Sequence, residues 1–385
     1  MSEWNQTNIG DLCDTISETY RRNDNEVVLV NTSDVLEGKV LNHATVANKN
    51  LKGQFKKTFK KNDILYSEIR PANKRFAFID FDSTENYIAS TKLMVLRPNT
   101  KNVLPRFLFA ILKSYEIIDE LQHLAETRSG TFPQITFNGE LAPMKVYLPD
   151  VKTQEKIVSI IDTIENKIEL NNNINKNLLD QSLTIFKNNF GGLDKNGRIG
   201  DYCQVKSGFA FKSAWWEDTG VPVIKIGSIN QDEINLNDCS YVSDDKIETA
   251  GDFSVIKGDL LIAMTGATIG KFAMIPALEE TVLVNQRVGK FFLGDNPIEK
   301  IPFIYCTLKQ PEIITEVINR GQGSAQPNIS SSDIMNIECV MPEKSDLNSF
   351  NTLTTHMFET IAQNQLENKK LSQLQIGRAS CRERV

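Results

Sequence analysis

The stretch NNNINKNL (171–178) sits inside what otherwise reads as a long helix with an isoleucine seam, and nearly the same phrase returns as NQLENKKL (364–371). Asparagine is a poor helix former and a costly seam residue, so its presence in both copies asks for a reason. Alternating steps of four and three residues from Ile157 land on Ile161, Ile164, Ile168, Asn171, Asn175, Leu178, Ser182 and Ile185. The same rule from Phe350 lands on Thr354, Met357, Ile361, Asn364, Asn368, Leu371 and Gln375. Both series carry asparagine at the same two steps. A seam asparagine lowers stability but fixes register and partner when it meets another amide. The pattern predicts that the two helices pack on each other, antiparallel, with the amides meeting near their middles. The competing reading is that these asparagines are solvated surface.

Outward from the helices, the whole chain is duplicated. NIGDLCD (8–14) recurs as RIGDYCQ (198–204), and KNDILYSEI (61–69) as KGDLLIAMT (257–265). LPRFLFAILKS (104–114) recurs as IPFIYCTLKQ (301–310), and SGTFPQI (129–135) as GSAQPNI (323–329), in the same order. The unit is a globular domain followed by a long helix, twice: domain 1–148, helix 149–190, domain 196–342, helix 343–375. Runs such as EVVLV, DILYS, YIASTKLMVL, VPVIKI, DLLIAM and TVLVNQRV are rich in Val, Ile and aromatics and read as strands. Short helices are expected over 105–121 and 302–318. The fold class is therefore α+β: two tandem repeated domains separated by two long antiparallel coiled-coil helices, with pseudo-twofold symmetry. A helix over 157–189 would be roughly 50 Å long at 1.5 Å per residue. Half-sites on a DNA duplex lie about 34 Å apart per helical turn, so such a rod has the size of a ruler.

Composition sets limits on function. The 385 residues suffice for two or three globular units, and 40% hydrophobic with 24% charged residues is ordinary for a water-soluble chain. There is no apolar run of the roughly 18 residues a membrane helix needs, and MSEWNQTNIGD has no signal-like core, so a cytoplasmic chain without membrane contact is expected. Six scattered cysteines and three separated histidines suggest no metal site and no disulfide framework. A net charge of −6 argues against an overall polycation but leaves room for local basic faces.

Catalytic motifs are not found. TGATIGKF (265–272) has three residues between Gly266 and Gly270 where a phosphate loop needs four, and Phe272 where it needs Ser or Thr, so it reads as a hairpin turn. Pro149-Asp150 with Glu155-Lys156 has the wrong spacing for a nuclease core, and neither a dinucleotide fingerprint nor a Gly-x-Ser-x-Gly elbow is present. Basic residues cluster as Lys56, Lys57, Lys60, Lys61, Arg70, Lys74 and Arg75 in the first half, and more sparsely as Lys206, Lys212, Lys271 and Arg287 in the second. Arginines and amides can bond base edges while lysines mainly hold phosphates, which singles out Arg128 and Gln134, and Arg320, Gln322, Gln326 and Asn328. The bland alternatives are solvated charged faces and Gly/Pro turns. Trp215 and Trp216 could stack on a base or serve as buried anchors.

Together, the two IGDxC starts, SGFAFKS (207–213), GTFPQI (130–135), the run LPDVKTQEKIVSIIDTIENKIELNNNINKNL (148–178) and NQLENKKLSQL (364–374) resemble the specificity subunit of type I restriction-modification systems over nearly the whole chain. The resemblance implies two target-recognition domains, each reading one half of a split sequence in double-stranded DNA. It further implies that the long helices dock methyltransferase subunits, which methylate adenine from S-adenosylmethionine, and that an ATP- and Mg-dependent restriction and translocase subunit cuts unmodified DNA. This chain would then bind no cofactor and be non-catalytic. The rivals are a fused methyltransferase and recognition enzyme, and a coiled-coil scaffold with no DNA role. One departure stands out: IGRASCRERV (376–385) matches the in-frame translation of a common sequencing-library adapter, so these residues are read as foreign to the fold and the second helix as truncated.

Overall fold

The computed structural model describes residues 4–49, 51, 53–128, 131–322 and 327–379. The chain divides into two compact units, residues 1–166 with 372–385, and residues 167–371.

In the first unit the strand Asn5–Asn8 pairs antiparallel with Lys145–Leu148, so the domain closes on its own start just before the helix Val151–Phe190 begins. Its central antiparallel sheet has the order Cys13–Ile16, Leu93–Pro98, Ile64–Ser67, Phe76–Phe78. Every residue of Ile64–Ser67 is buried. The side chains alternate, Ile64 and Tyr66 entering one core with Phe76, Leu96 and Phe109, and Leu65 entering another with Val28, Ile79 and Val95. A strand with two apolar faces must be covered on both sides. Helices Pro105–Leu112 and Tyr115–Arg128 cover one face. The other is covered by a second sheet ordered Thr45–Ala47, Glu26–Val30, Tyr87–Ser90, Phe55–Lys57, in which Val28 pairs with Tyr87 in parallel.

The second unit repeats this scheme. Gly197–Arg198 pairs with Glu338–Cys339, and the central sheet runs Gln204–Ser207, Val288–Phe292, Leu260–Ala263, Phe272–Met274. Leu260 and Ile262 enter one core, Leu261 and Ala263 the other. The outer sheet gains a strand: Trp216–Glu217, Ser240–Val242, Val221–Ile224, Val282–Val284, Ser254–Val255, again with a parallel pair, Val223 to Leu283. The stretch around Gly266 and Gly270 connects strands Leu260–Ala263 and Phe272–Met274 as a hairpin, with both glycines at positive φ.

The single short helix expected in each half is two helices. In the second half Ile301–Leu308 ends and Pro311–Gly321 starts afresh, because Pro311 has no amide hydrogen and its ring collides with the preceding turn. In the first half Ser114 makes the break, its carbonyl accepting from the Ile118 amide as the first bond of the new helix.

Both long helices form, as Val151–Phe190 and Lys344–Ala379. Asp150 caps the first, its Oδ1 accepting from the Thr153 amide at 2.9 Å. The second continues through residues 376–379, while 380–385 lie outside the described residues. Within the second unit the helices run antiparallel: Asn171 meets Asn368, Asn175 meets Asn364, Ser182 meets Met357 and Phe186 meets Phe350, so each advance along one is a retreat along the other.

Candidate nucleic-acid interface

The hairpin and the Pro-amide loop of each half meet in one backbone frame, repeated almost atom for atom. In the first unit the Glu68 amide donates to Lys92 O at 3.0 Å, Ile135 N to Glu68 O at 2.9 Å and Arg70 N to Pro133 O at 3.1 Å. In the second, Met264 N donates to Arg287 O at 3.0 Å, Ile329 N to Met264 O at 2.9 Å and Gly266 N to Pro327 O at 3.0 Å. Ile69 bridges Gln134 just as Thr265 bridges Asn328. The turn leading in is capped alike: Lys92 N reaches Ser90 Oγ and Arg287 N reaches Asn285 Oδ1, both at 3.3 Å. At the opposite end of the strand that leads to each frame, a buried aspartate closes the preceding turn. Asp63 accepts from Lys60 N and from both ends of the Arg97 fork at 2.8 and 2.7 Å. Asp259 accepts from Ile256 N and pairs with Lys290 at 2.7 Å, and burial holds its carboxyl above the usual aspartate range against the pull of that lysine.

The first-domain cations fall into two groups. Lys57 is half-buried and donates to the Thr91 and Leu93 carbonyls at 3.0 and 2.8 Å, and burial lowers its pKa. Arg75 donates to the Ser33 and Val35 carbonyls. These two brace the fold through bonds to backbone carbonyls. Lys61 pairs with Asp82, Lys74 with Glu37 and Arg128 with Glu140, each cation being exposed where a phosphate could compete. Lys56, Lys60 and Arg70 are exposed, and Arg70 and Lys74 both sit at positive φ flanking the tip Pro71–Asn73. Gln134 accepts from Lys92 Nζ at 3.1 Å.

In the second domain Lys206 lies over the Phe292 ring and Lys212 over Trp215, both with exposed side chains. Lys271 is half-buried beside the hairpin, whereas Arg287, Gln322 and Asn328 are exposed. Arg320 is exposed and is held at the surface by Glu316 and by the carbonyls of Asp333 and Asn336. Gln326 lies outside the described residues. Trp215 and Trp216 are half-buried: Trp215 stacks on Phe209 and carries Lys212 and Lys246 near its ring, and Lys225 sits 3.6 Å from the Trp216 centroid. Both pack against the apolar core on one side and carry cations on the other.

Along the helix pair, Asn171 is 1% exposed and its amide nitrogen donates to Asn368 Oδ1 and Glu367 Oε2, each at 2.8 Å. Asn368 returns a bond to Asn172, and Asn364 donates to Asn175. Glu367 also pairs with Lys167 at 3.2 Å, and the bonds from Asn171 and Lys167 hold its carboxyl below the usual glutamate range. Ile157 packs on the first domain core and Leu178 on the second. Ile161 and Ile168 are half-buried and Ile164 buried. On the partner helix Phe350, Met357 and Ile361 are buried and Leu371 half-buried. The five described cysteines are free and buried, and burial pushes the Cys13 and Cys203 thiols up to about 12, so they behave as small core residues. Among the described residues no group of His, Cys, Asp and Glu could hold a metal, and no helix is long and apolar enough to cross a membrane.

Comparison with known proteins gives one family. The model of the type I restriction modification DNA specificity domain matches residues 1–180 and again 195–375. The HindI specificity subunit of Haemophilus influenzae is 31% identical, over 97% of both chains. The MjaVIII specificity subunit of Methanocaldococcus jannaschii is 24% identical over 52% of each. A crystal structure of the type I restriction-modification S subunit from M. genitalium shares the fold with a TM-score of 0.54 at 14% identity, over 98% of this chain and 95% of that one.

Proposed function

The chain belongs to the family of type I restriction-modification DNA specificity subunits, which are themselves non-catalytic, and on that premise we propose that each of its two domains reads one half of a bipartite site in double-stranded DNA. The observation that carries this reading is the duplicated frame. A single continuous site would need one reading surface; two copies of the same hairpin and Pro-amide loop, with different side chains on each, suit two separate half-sites. Exposed Lys56, Lys60, Lys206 and Lys212 would hold phosphates and so supply sequence-independent affinity that falls with salt. The buried Asp63 and Asp259 pairs close the turns at the start of the strands that carry the frames.

In this reading the long helices set the gap between half-sites and dock methyltransferase subunits. Those partners would transfer methyl groups from S-adenosylmethionine to adenine, and a restriction subunit using ATP and Mg would translocate and cut. The chain supplies the address. The test is co-expression with the cognate methyltransferase subunit, followed by mapping of methylated adenines across genomic DNA. A split motif with a fixed gap is expected. A folded complex with neither methylation nor DNA affinity would leave the scaffold reading instead.

A further inference from the structure

We infer that a cation and an amide flanking the hairpin backbone on each frame, Lys92 with Gln134 and Arg287 with Asn328, select bases in the two half-sites. The inference rests on the DNA-recognition reading above and brings Lys92 into it. Lys92 and Arg287 occupy one and the same place in the repeat: each gives its carbonyl to the hairpin amide of Glu68 or Met264, and each receives the cap of Ser90 or Asn285. Gln134 and Asn328 likewise share a place, each bridging the hairpin beside a proline carbonyl that accepts from the Arg70 or Gly266 amide. The backbone around all four residues is held by the same bonds within a tenth of an ångström in the two halves, so what differs between the frames is side-chain chemistry.

That is the arrangement a reader of two different half-sites needs. A guanidinium or ammonium reaches guanine O6 and N7, and a carboxamide pairs with adenine N6 and N7, while a backbone fixed in advance loses little freedom on binding. Lys92 keeps 48% of its side chain exposed, and its ammonium lies 3.1 Å from Gln134 Oε1 and 3.8 Å from Glu68. In the second half the acid is replaced by Met264, so Arg287 has no carboxylate at that position of its frame. The two pairs therefore differ in reach, in fork geometry and in local charge.

The experiment uses the full chain with its methyltransferase partner. Methylated adenines are mapped for the native chain and for Lys92→Ala, Gln134→Ala, Arg287→Ala and Asn328→Ala. Each variant is expected to relax preference at one base position by about tenfold, the first two in one half of the motif and the last two in the other, with the gap unchanged. Where methylation is lost altogether, the same complex is titrated with duplexes altered one base at a time, and the base preference is read from relative affinity. An unchanged preference, or weakening that is uniform over all sequences, overturns the inference while leaving the recognition reading intact. A native chain that directs no split motif refutes that reading, and the inference with it.

Discussion

The two domains are fastened to their long helices by different chemistry at comparable joints. In the first, Gln154 is fully buried: its Oε1 accepts from Leu104 N at 2.9 Å, and its Nε2 donates to the carbonyls of Asn102 and Pro149. Arg106 then pairs with Asp162 and Glu165, and Lys113 with Glu165. In the second, Phe186, Phe190, Phe303 and Phe350 pack ring against ring with centroids 5.3 to 5.9 Å apart. Asn351 adds an amide bond, accepting from Phe303 N at 3.0 Å. The same supersecondary joint can thus be closed by a buried amide with ion pairs that salt weakens, or by an aromatic cluster that salt leaves alone.

The comparison can be broken most forcefully at the aromatic joint. Phe350→Ala removes a fully buried ring and should destabilise the second unit by about 3–5 kcal/mol, seen as a lower urea midpoint and as loss of amide-exchange protection in residues 301–308. Gln154→Ala should cost the first unit about 1–3 kcal/mol, since it strands the Leu104 amide and two carbonyls, and amide exchange at Leu104 should rise. Glu165→Ala should cost about 1 kcal/mol or less, and that difference from the native chain should shrink in high salt, whereas the Phe350→Ala effect should not. The smallest effect belongs to the amide seam. Because Asn171 and Lys167 lower the Glu367 pKa from 4.5, its contribution is complete above the unfolded value and is lost as pH falls through the lower folded one. The thermal unfolding midpoint of the native chain should therefore fall in acid below about pH 4.5, and Glu367→Gln should remove part of that dependence.

How much of this could be read in the sequence varies with the range of the contact. The asparagines at 171, 175, 364 and 368 were legible because a heptad projects regular positions onto one face, and the repeat pointed to a common environment. The aromatic joint was legible only at Phe350, because the heptad count from Ile157 reaches Ile185 while the buried ring of the first helix belongs to Phe186; a straight helix drifts against a strict seven-residue repeat. Lys57 and Arg75 read as surface cations. Their engagement with carbonyls depends on segments far away in sequence, which no local pattern reports. Lys92 carries no sequence signal for a related reason: it lies in a strand-rich run, and it shares its place with Arg287 through caps of different chemistry, Ser90 Oγ in one half and Asn285 Oδ1 in the other.

The central claim is that two independent readers are separated by a helical spacer. Inserting one matched heptad into each long helix, beside Asn171 and Asn368, and then mapping methylated adenines tests it most directly. The account predicts a motif with both halves unchanged and a longer gap. A change in the bases read, or an unaltered gap in a folded and active complex, would contradict it.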